Sequence, residues 1–243
     1  MSSTFHFKEF AIEQDRCAMK VGTDGVLLGA WASLGNDPQT ILDIGAGTGL
    51  IALMLAQRSD TEQIDAIEID EEAYEQCVDN FENSQWSDRL FCYHASLDEF
   101  VEEMEDTFDL IISNPPFFSP PLNSPKRERI ITDSRGKARF YDSLPFENLV
   151  NDVAQLLSED GQFAVIIPFG EEEKFLRLTE NVKLFPNRIT RVKGTPTSET
   201  KRSLMQFSFH KTPVIEKELI IEISRHEYTD EYKELVKDFY LKM

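Results

Sequence analysis

Between residues 40 and 182 the chain alternates short apolar runs with amphipathic stretches, and this rhythm constrains its fold more than any other feature. Residues 40–44, 64–69, 89–94, 108–113 and 162–167 read as strands. The intervening residues 50–57, 71–83, 97–104 and 146–157, and then 171–182, read as helices. Within 71–83 the apolar side chains Ala73, Tyr74, Cys77, Val78 and Phe81 recur at helical spacing. Strictly alternating β and α elements imply an α/β, doubly wound, mostly parallel sheet. Both faces of such a sheet are covered, so its strands are apolar almost throughout, as 64–69 and 163–167 are. Outside this core, residues 5–10 alternate with period two and suggest a short strand or hairpin. Residues 26–34 look helical, 188–193, 204–210 and 218–223 look like further strands, and 230–241 like a terminal helix.

Ligands of open α/β sheets bind beyond the carboxyl ends of the strands. Four successive strands here end in a glycine-rich turn, in Glu68, in Ala95-Ser96, and in Asn114-Pro115-Pro116-Phe117. The turn reads Asp43-Ile44-Gly45-Ala46-Gly47-Thr48-Gly49. Glycines allow a tight bend and a close approach of backbone to ligand. An ordinary βα turn would also use them. The dinucleotide fingerprint Gly-x-Gly-x-x-Gly places its third glycine one residue later than here. The acid Asp43 ahead of the turn suits the ammonium and sulfonium of S-adenosylmethionine, a cofactor without phosphate. Glu68 is placed to accept both ribose hydroxyls, whether from that cofactor or from a dinucleotide, and Ala95 and Ser96 to line an adenine. Asp70 reads as a solvated charge at a helix start, and Ser96 as a helix cap.

Asn114-Pro115-Pro116-Phe117 suits chemistry on a planar amine. The lone pair of an exocyclic adenine amine is delocalised into the ring, which makes it a poor nucleophile. Two acceptors held against its protons, the Asn114 side-chain oxygen and the Pro115 carbonyl, localise that lone pair. Pro115 and Pro116 stiffen the backbone that presents them, and Phe117 offers a face for a flipped-out base. A strand-ending Pro-Pro turn with a core Phe is the plainer alternative. No Cys adjoins this loop in sequence, which counts against thiolate-assisted methylation of a pyrimidine.

The charge balance, 25 basic against 44 acidic residues, argues against a nucleic-acid partner when taken alone. The basic residues are clustered, however, at Lys126-Arg127 with Arg129, at 135–139, at 188–193 and at Lys201-Arg202. A local basic patch on an acidic body remains open. No apolar stretch approaches the roughly 20 residues that span a bilayer, so no membrane association is expected. The start lacks the features of a signal peptide. Three cysteines without close spacing read as reduced thiols of a cytoplasmic protein, and no metal site is expected.

With both motifs in place the chain resembles class I S-adenosylmethionine-dependent methyltransferases with an Asn-Pro-Pro-aromatic motif. These include adenine-N6 enzymes and release-factor glutamine methyltransferases. The run from Asp15-Arg16-Cys17 through Lys20-Val21-Gly22-Thr23-Asp24-Gly25 to Trp31, with Asp238-Phe239-Tyr240-Leu241 at the tail, is more specific. It resembles the bacterial valine-tRNA adenine-N6 methyltransferases, which modify the adenine just 3′ of the anticodon. That resemblance implies a Rossmann-like fold and a single unit over 1–243. Within it, 1–36 covers the cofactor, 37–211 is the core, and 212–243 adds a strand and a helix. It also implies cofactor contacts from Lys20, Thr23 and Asp24, where the residues alone suggest only a loop before a helix. Arg16, Lys126, Arg127 and Arg129 become candidates for tRNA phosphates, against the plainer reading of solvated surface charge. A monomer is expected. The rivals are methylation of a protein glutamine or of an adenine in rRNA or DNA, a non-catalytic cofactor-binding module, and a dinucleotide oxidoreductase.

Overall fold

The computed structural model describes residues 4–116 and 144–242. Its centre is an eight-stranded sheet built from β3 (Thr40–Ile44), β4 (Gln63–Glu68), β5 (Leu90–His94), β6 (Phe108–Ser113), β7 (Leu157–Pro168), β8 (Phe185–Lys193), β9 (Thr200–Ser208) and β10 (Ile215–Ile220). The strand order is β10-β8-β9-β7-β6-β3-β4-β5, and only β9 runs antiparallel to its neighbours. The sequence rhythm therefore gives the doubly wound, mostly parallel sheet expected of it.

Alternation along the central strands sorts side chains onto two faces. Ile41, Ile64, Leu110, Ile112, Ala164 and Ile166 join a core under α1 (Thr23–Trp31), α2 (Leu50–Arg58) and α3 (Glu71–Glu82), completed by α7 (Asp230–Val236). Leu42, Ile67, Ile111, Phe163, Val165 and Ile167 face α4 (Leu97–Glu103), α5 (Phe146–Leu156) and α6 (Glu172–Asn181). Ahead of the core, β1 (Thr4–His6) and β2 (Ala11–Glu13) form an antiparallel hairpin. A second small hairpin, β11 (Glu222–Ser224) with β12 (Glu227–Tyr228), precedes α7.

Several expected boundaries move, among them β7, β8 and β9, which begin three to five residues early, and three further shifts have a physical reason. The first helix begins at Thr23 rather than 26 and ends at Trp31 rather than 34. Its glycines serve packing, since a Cβ on Gly29 would fall 2.8 Å from Met54 Sδ of α2. The strand expected at 218–223 is β10, three residues earlier. Hydropathy alone favours Leu219-Ile220-Ile221, whereas Arg191–Glu216 and Lys193–Glu218 ion pairs, both at 2.7 Å, tie β10 to β8. The last helix stops at Val236 because the chain then turns back, and the Phe239 carbonyl accepts a hydrogen bond from the Lys8 amide of the N-terminal segment. Among the described residues no helix is long and apolar enough to cross a membrane.

Candidate active site

The sheet reverses its winding between β3 and β6, and a crevice at that point is where open α/β sheets bind ligands. A cavity of about 320 Å³ lies there, at the carboxyl ends of β3, β4, β5 and β6. Gly45 and Gly47 contribute from the turn after β3, Glu68 from β4, Ala95 and Ser96 after β5, and Asn114, Pro115 and Pro116 after β6. All eight are residues the sequence singles out.

The turn holds its shape through backbone bonds, with the amides of Gly45 and Ala46 donating to Ile67 O at 3.0 and 3.1 Å. Gly45, Gly47 and Gly49 all have positive φ, between 55° and 77°. Their surroundings separate them. A Cβ on Gly45 or Gly47 would meet nothing within 4 Å, so the space above that backbone is open. A Cβ on Gly49 would sit 2.5 Å from Phe81 Cε1 and 2.9 Å from Cys77 Sγ. Gly49 thus serves the packing of the turn against α3, and neither it nor Ala46 lines the cavity.

Glu68 reaches across from β4 to brace the turn. Its Oε2 accepts from the Gly47 amide at 2.8 Å, and its Oε1 from the amides of Ile69 and Asp70 at 2.9 and 3.0 Å. Burial pushes its carboxyl above the ordinary range, and these three donors pull it back. Asp70 is more than a solvated charge: its side chain caps α3 through the Ala73 amide at 2.9 Å. Ser96 caps α4 in a reciprocal capping box with Glu99, as its sequence position suggests.

Asp43 does not reach the cavity surface; it is fully buried beneath the turn, on the α2 side. Its Oδ2 accepts from the Ala52 amide at 3.2 Å, while Oδ1 is buried without a partner. Burial holds this carboxyl up at about 7. Asn114 also has a buried side-chain oxygen without a partner, and this one belongs to a cavity-lining residue. Next to it, Ser113 Oγ donates to Ile44 O at 2.9 Å and ties the ends of β6 and β3 together.

Other expected residues stand elsewhere. Thr23 and Asp24 form the first turn of α1, and Asp24 is paired with Arg202 at 2.8 Å; neither they nor Lys20 line the cavity. The N-terminal wall comes instead from Cys17, Ala18 and Met19, three residues that no spacing or periodicity marks. Burial, then the charges of Glu68 and Asp70, push the Cys17 thiol up to about 12, so it is no ready thiolate nucleophile. Arg16 is bound by Glu75 and Asp79 of α3 rather than left free. Leu144, Pro145 and Asn148, at the start of α5, line the cavity as well, and no sequence signal points to them. Phe117, Lys126, Arg127 and Arg129 lie outside the described residues.

The sheet order and this crevice define a class I methyltransferase. A family model described as methyltransferase small domain matches residues 26–137. A predicted O-methyltransferase of Agrobacterium tumefaciens superposes with a TM-score of 0.67 over 89% of this chain and 96% of that one, at 18% identity, a likeness of fold. At the sequence level the chain is 62% identical to a tRNA1(Val) (adenine(37)-N6)-methyltransferase of Christiangramia forsetii, over 98% of each. It is 61% identical to the protein of the same name from Flavobacterium psychrophilum, over 98% of this chain and 100% of that one. The chain belongs to the tRNA1(Val) (adenine(37)-N6)-methyltransferase family.

Proposed function

We propose that this chain transfers a methyl group from S-adenosylmethionine to N6 of adenine 37 in tRNA1(Val), acting as a cytoplasmic monomer in which residues 1–243 form one catalytic unit. The observation that carries the reading is the unpartnered, buried side-chain oxygen of Asn114, held at the switch point beside an open glycine cradle. The site suits the cofactor on its own features. Gly45 and Gly47 leave backbone bare, and Glu68 offers carboxylate lone pairs at the end of β4. When bound, S-adenosylmethionine supplies a methyl group on a sulfonium, an electrophile that needs no further activation.

The rest falls to the protein's own groups. Asn114 and the Pro115 carbonyl accept from the two amine protons, which turns the nitrogen lone pair out of conjugation and toward the methyl donor. Positioning of this kind accounts for up to about 7–11 kcal/mol of barrier reduction in favourable systems. No strong base is required, because the amine becomes acidic only after it is methylated. Phe117 supplies a stacking face for the base on the strength of its chemistry and its place in the motif.

The phosphates need cations. Among the described residues, Arg16, Arg191, Lys193 and Arg202 are already engaged by acids of the same chain. Lys126, Arg127 and Arg129, clustered in the sequence, are proposed as phosphate contacts. The test is methyl incorporation into a tRNA1(Val) transcript compared with one carrying guanine at position 37. Incorporation confined to the first supports the reading, and equal incorporation into both removes it. Asn114→Ala is expected to bind S-adenosylhomocysteine normally and to lose turnover.

A further inference from the structure

A single buried amide connects the N-terminal segment with the glycine turn, each of which continues into a wall of the cavity. Asn80, on α3, is almost fully buried and makes three hydrogen bonds. Its Oδ1 accepts from the Glu13 amide at 2.9 Å, and its Nδ2 donates to Glu13 O at 3.0 Å and to Thr48 O at 2.9 Å. Glu13 ends β2, and Thr48 lies within the glycine turn. One turn back on the same helix, Gln76 is fully buried and accepts from the Arg16 amide at 3.2 Å. The arm is then closed on itself, because Gln14 Oε1 accepts from the Val21 amide at 2.8 Å. The loop so formed presents Cys17, Ala18 and Met19 to the cavity.

We infer that Asn80 is a positioning residue for the cofactor, one that fixes the glycine turn and the Cys17–Met19 wall relative to each other without touching the ligand. Neither segment has another side chain bridging it to the other among the hydrogen bonds of the described residues. Replacing a buried amide that serves both backbones releases both at once, since each is left with an unsatisfied group. The inference rests on the cofactor reading above, and the two fail differently. If the native chain does not bind S-adenosylhomocysteine, the cofactor reading is at fault; if it binds but Asn80 is dispensable, the inference is.

Asn80→Asp tests it, because the carboxylate retains the acceptor for the Glu13 amide and loses both donated bonds. By titration calorimetry the dissociation constant for S-adenosylhomocysteine is expected to rise about tenfold or more. KM for S-adenosylmethionine should rise with it, while kcat at saturating cofactor stays within about threefold. A folded variant whose dissociation constant is unchanged overturns the inference. Should that variant fail to fold, hydrogen exchange of the native chain decides. Ligand should slow exchange at Glu13, which is outside the cavity, together with Gly47. Gln14→Ala should abolish the effect across residues 14–21 and keep it in the turn. Protection of Gly47 with no change at Glu13 would show that the two segments are independent.

Discussion

The side chain of Glu68 accepts the Gly47 amide at 2.8 Å, so the acid that ends β4 holds the cavity-lining glycine of the turn that follows the neighbouring strand β3. The same carboxylate accepts two further amides, those of Ile69 and Asp70. Glu68→Gln converts one of these acceptors into a donor facing a donor. A loss of about 1 kcal/mol in urea denaturation is expected, since part-buried amides are left unpaired. Affinity for S-adenosylhomocysteine should fall at least about tenfold by calorimetry. An isosteric variant with native affinity would remove Glu68 from the cofactor site.

The glycines separate stability from binding. Gly49→Ala forces a Cβ against Phe81 and Cys77 at a φ of 77°, and the combined clash and strain should cost about 2–4 kcal/mol of stability. Gly47→Ala meets no protein atom. It should cost about 1–2 kcal/mol from its left-handed backbone alone, while the added methyl enters the ligand space. Thermal melts and S-adenosylhomocysteine titration of the pair should therefore rank them in opposite orders.

Asp43 should leave a signature in the pH dependence of stability. Burial holds its carboxyl at about 7 in the folded chain, against about 3.9 when unfolded. Between these values the folded chain keeps a proton that the unfolded chain has lost. Stability from this group is thus complete below about pH 4 and is lost as the pH rises to about 7. The ceiling is about 4 kcal/mol. Asp43→Asn should remove that slope in urea midpoints measured from pH 4.5 to 8. The same variant should bind S-adenosylhomocysteine nearly as the native chain does, because Asp43 does not line the cavity.

Much of this is legible in the sequence alone. The strands β3 and β6 fall on the residues expected, because buried parallel strands carry a nearly unbroken apolar run bounded by Gly and Pro. The cavity gathers Gly45, Gly47, Glu68, Ala95, Ser96 and Asn114 because all follow strands that end on one edge of the sheet. What the sequence hides depends on distant partners. Asp24 meets Arg202 from 178 positions away, and Asn80 reaches back 67 positions to Glu13. Neither pairing leaves a local period. The start of α1 is hidden for a related reason, since Gly25 and Gly29 are there for the close approach of α2, which propensity does not register.

Counted over the whole chain, charge argues against RNA, and the ion pairs recast that argument. Arg16, Arg191, Lys193 and Arg202 are occupied by acids of the same chain, so these four are poorly placed to hold an anion. If Lys126, Arg127 and Arg129 hold phosphates as proposed, KM for tRNA should rise steeply with salt. Replacing all three by Ala should lower the logarithmic slope by about 2–3, near 0.7–0.9 for each phosphate no longer neutralised. An unchanged slope would place the RNA elsewhere on the protein.

The central claim is methylation of one adenine, and nucleotide-resolved mass spectrometry of tRNA1(Val) tests it most directly. The RNA is taken from cells lacking this chain and from the same cells re-supplied with the native protein or with Asn114→Ala. N6-methyladenosine at position 37 should be absent without the protein, restored by the native chain, and not restored by Asn114→Ala. The modification persisting in cells that lack the chain, or returning in full with Asn114→Ala, would contradict the account.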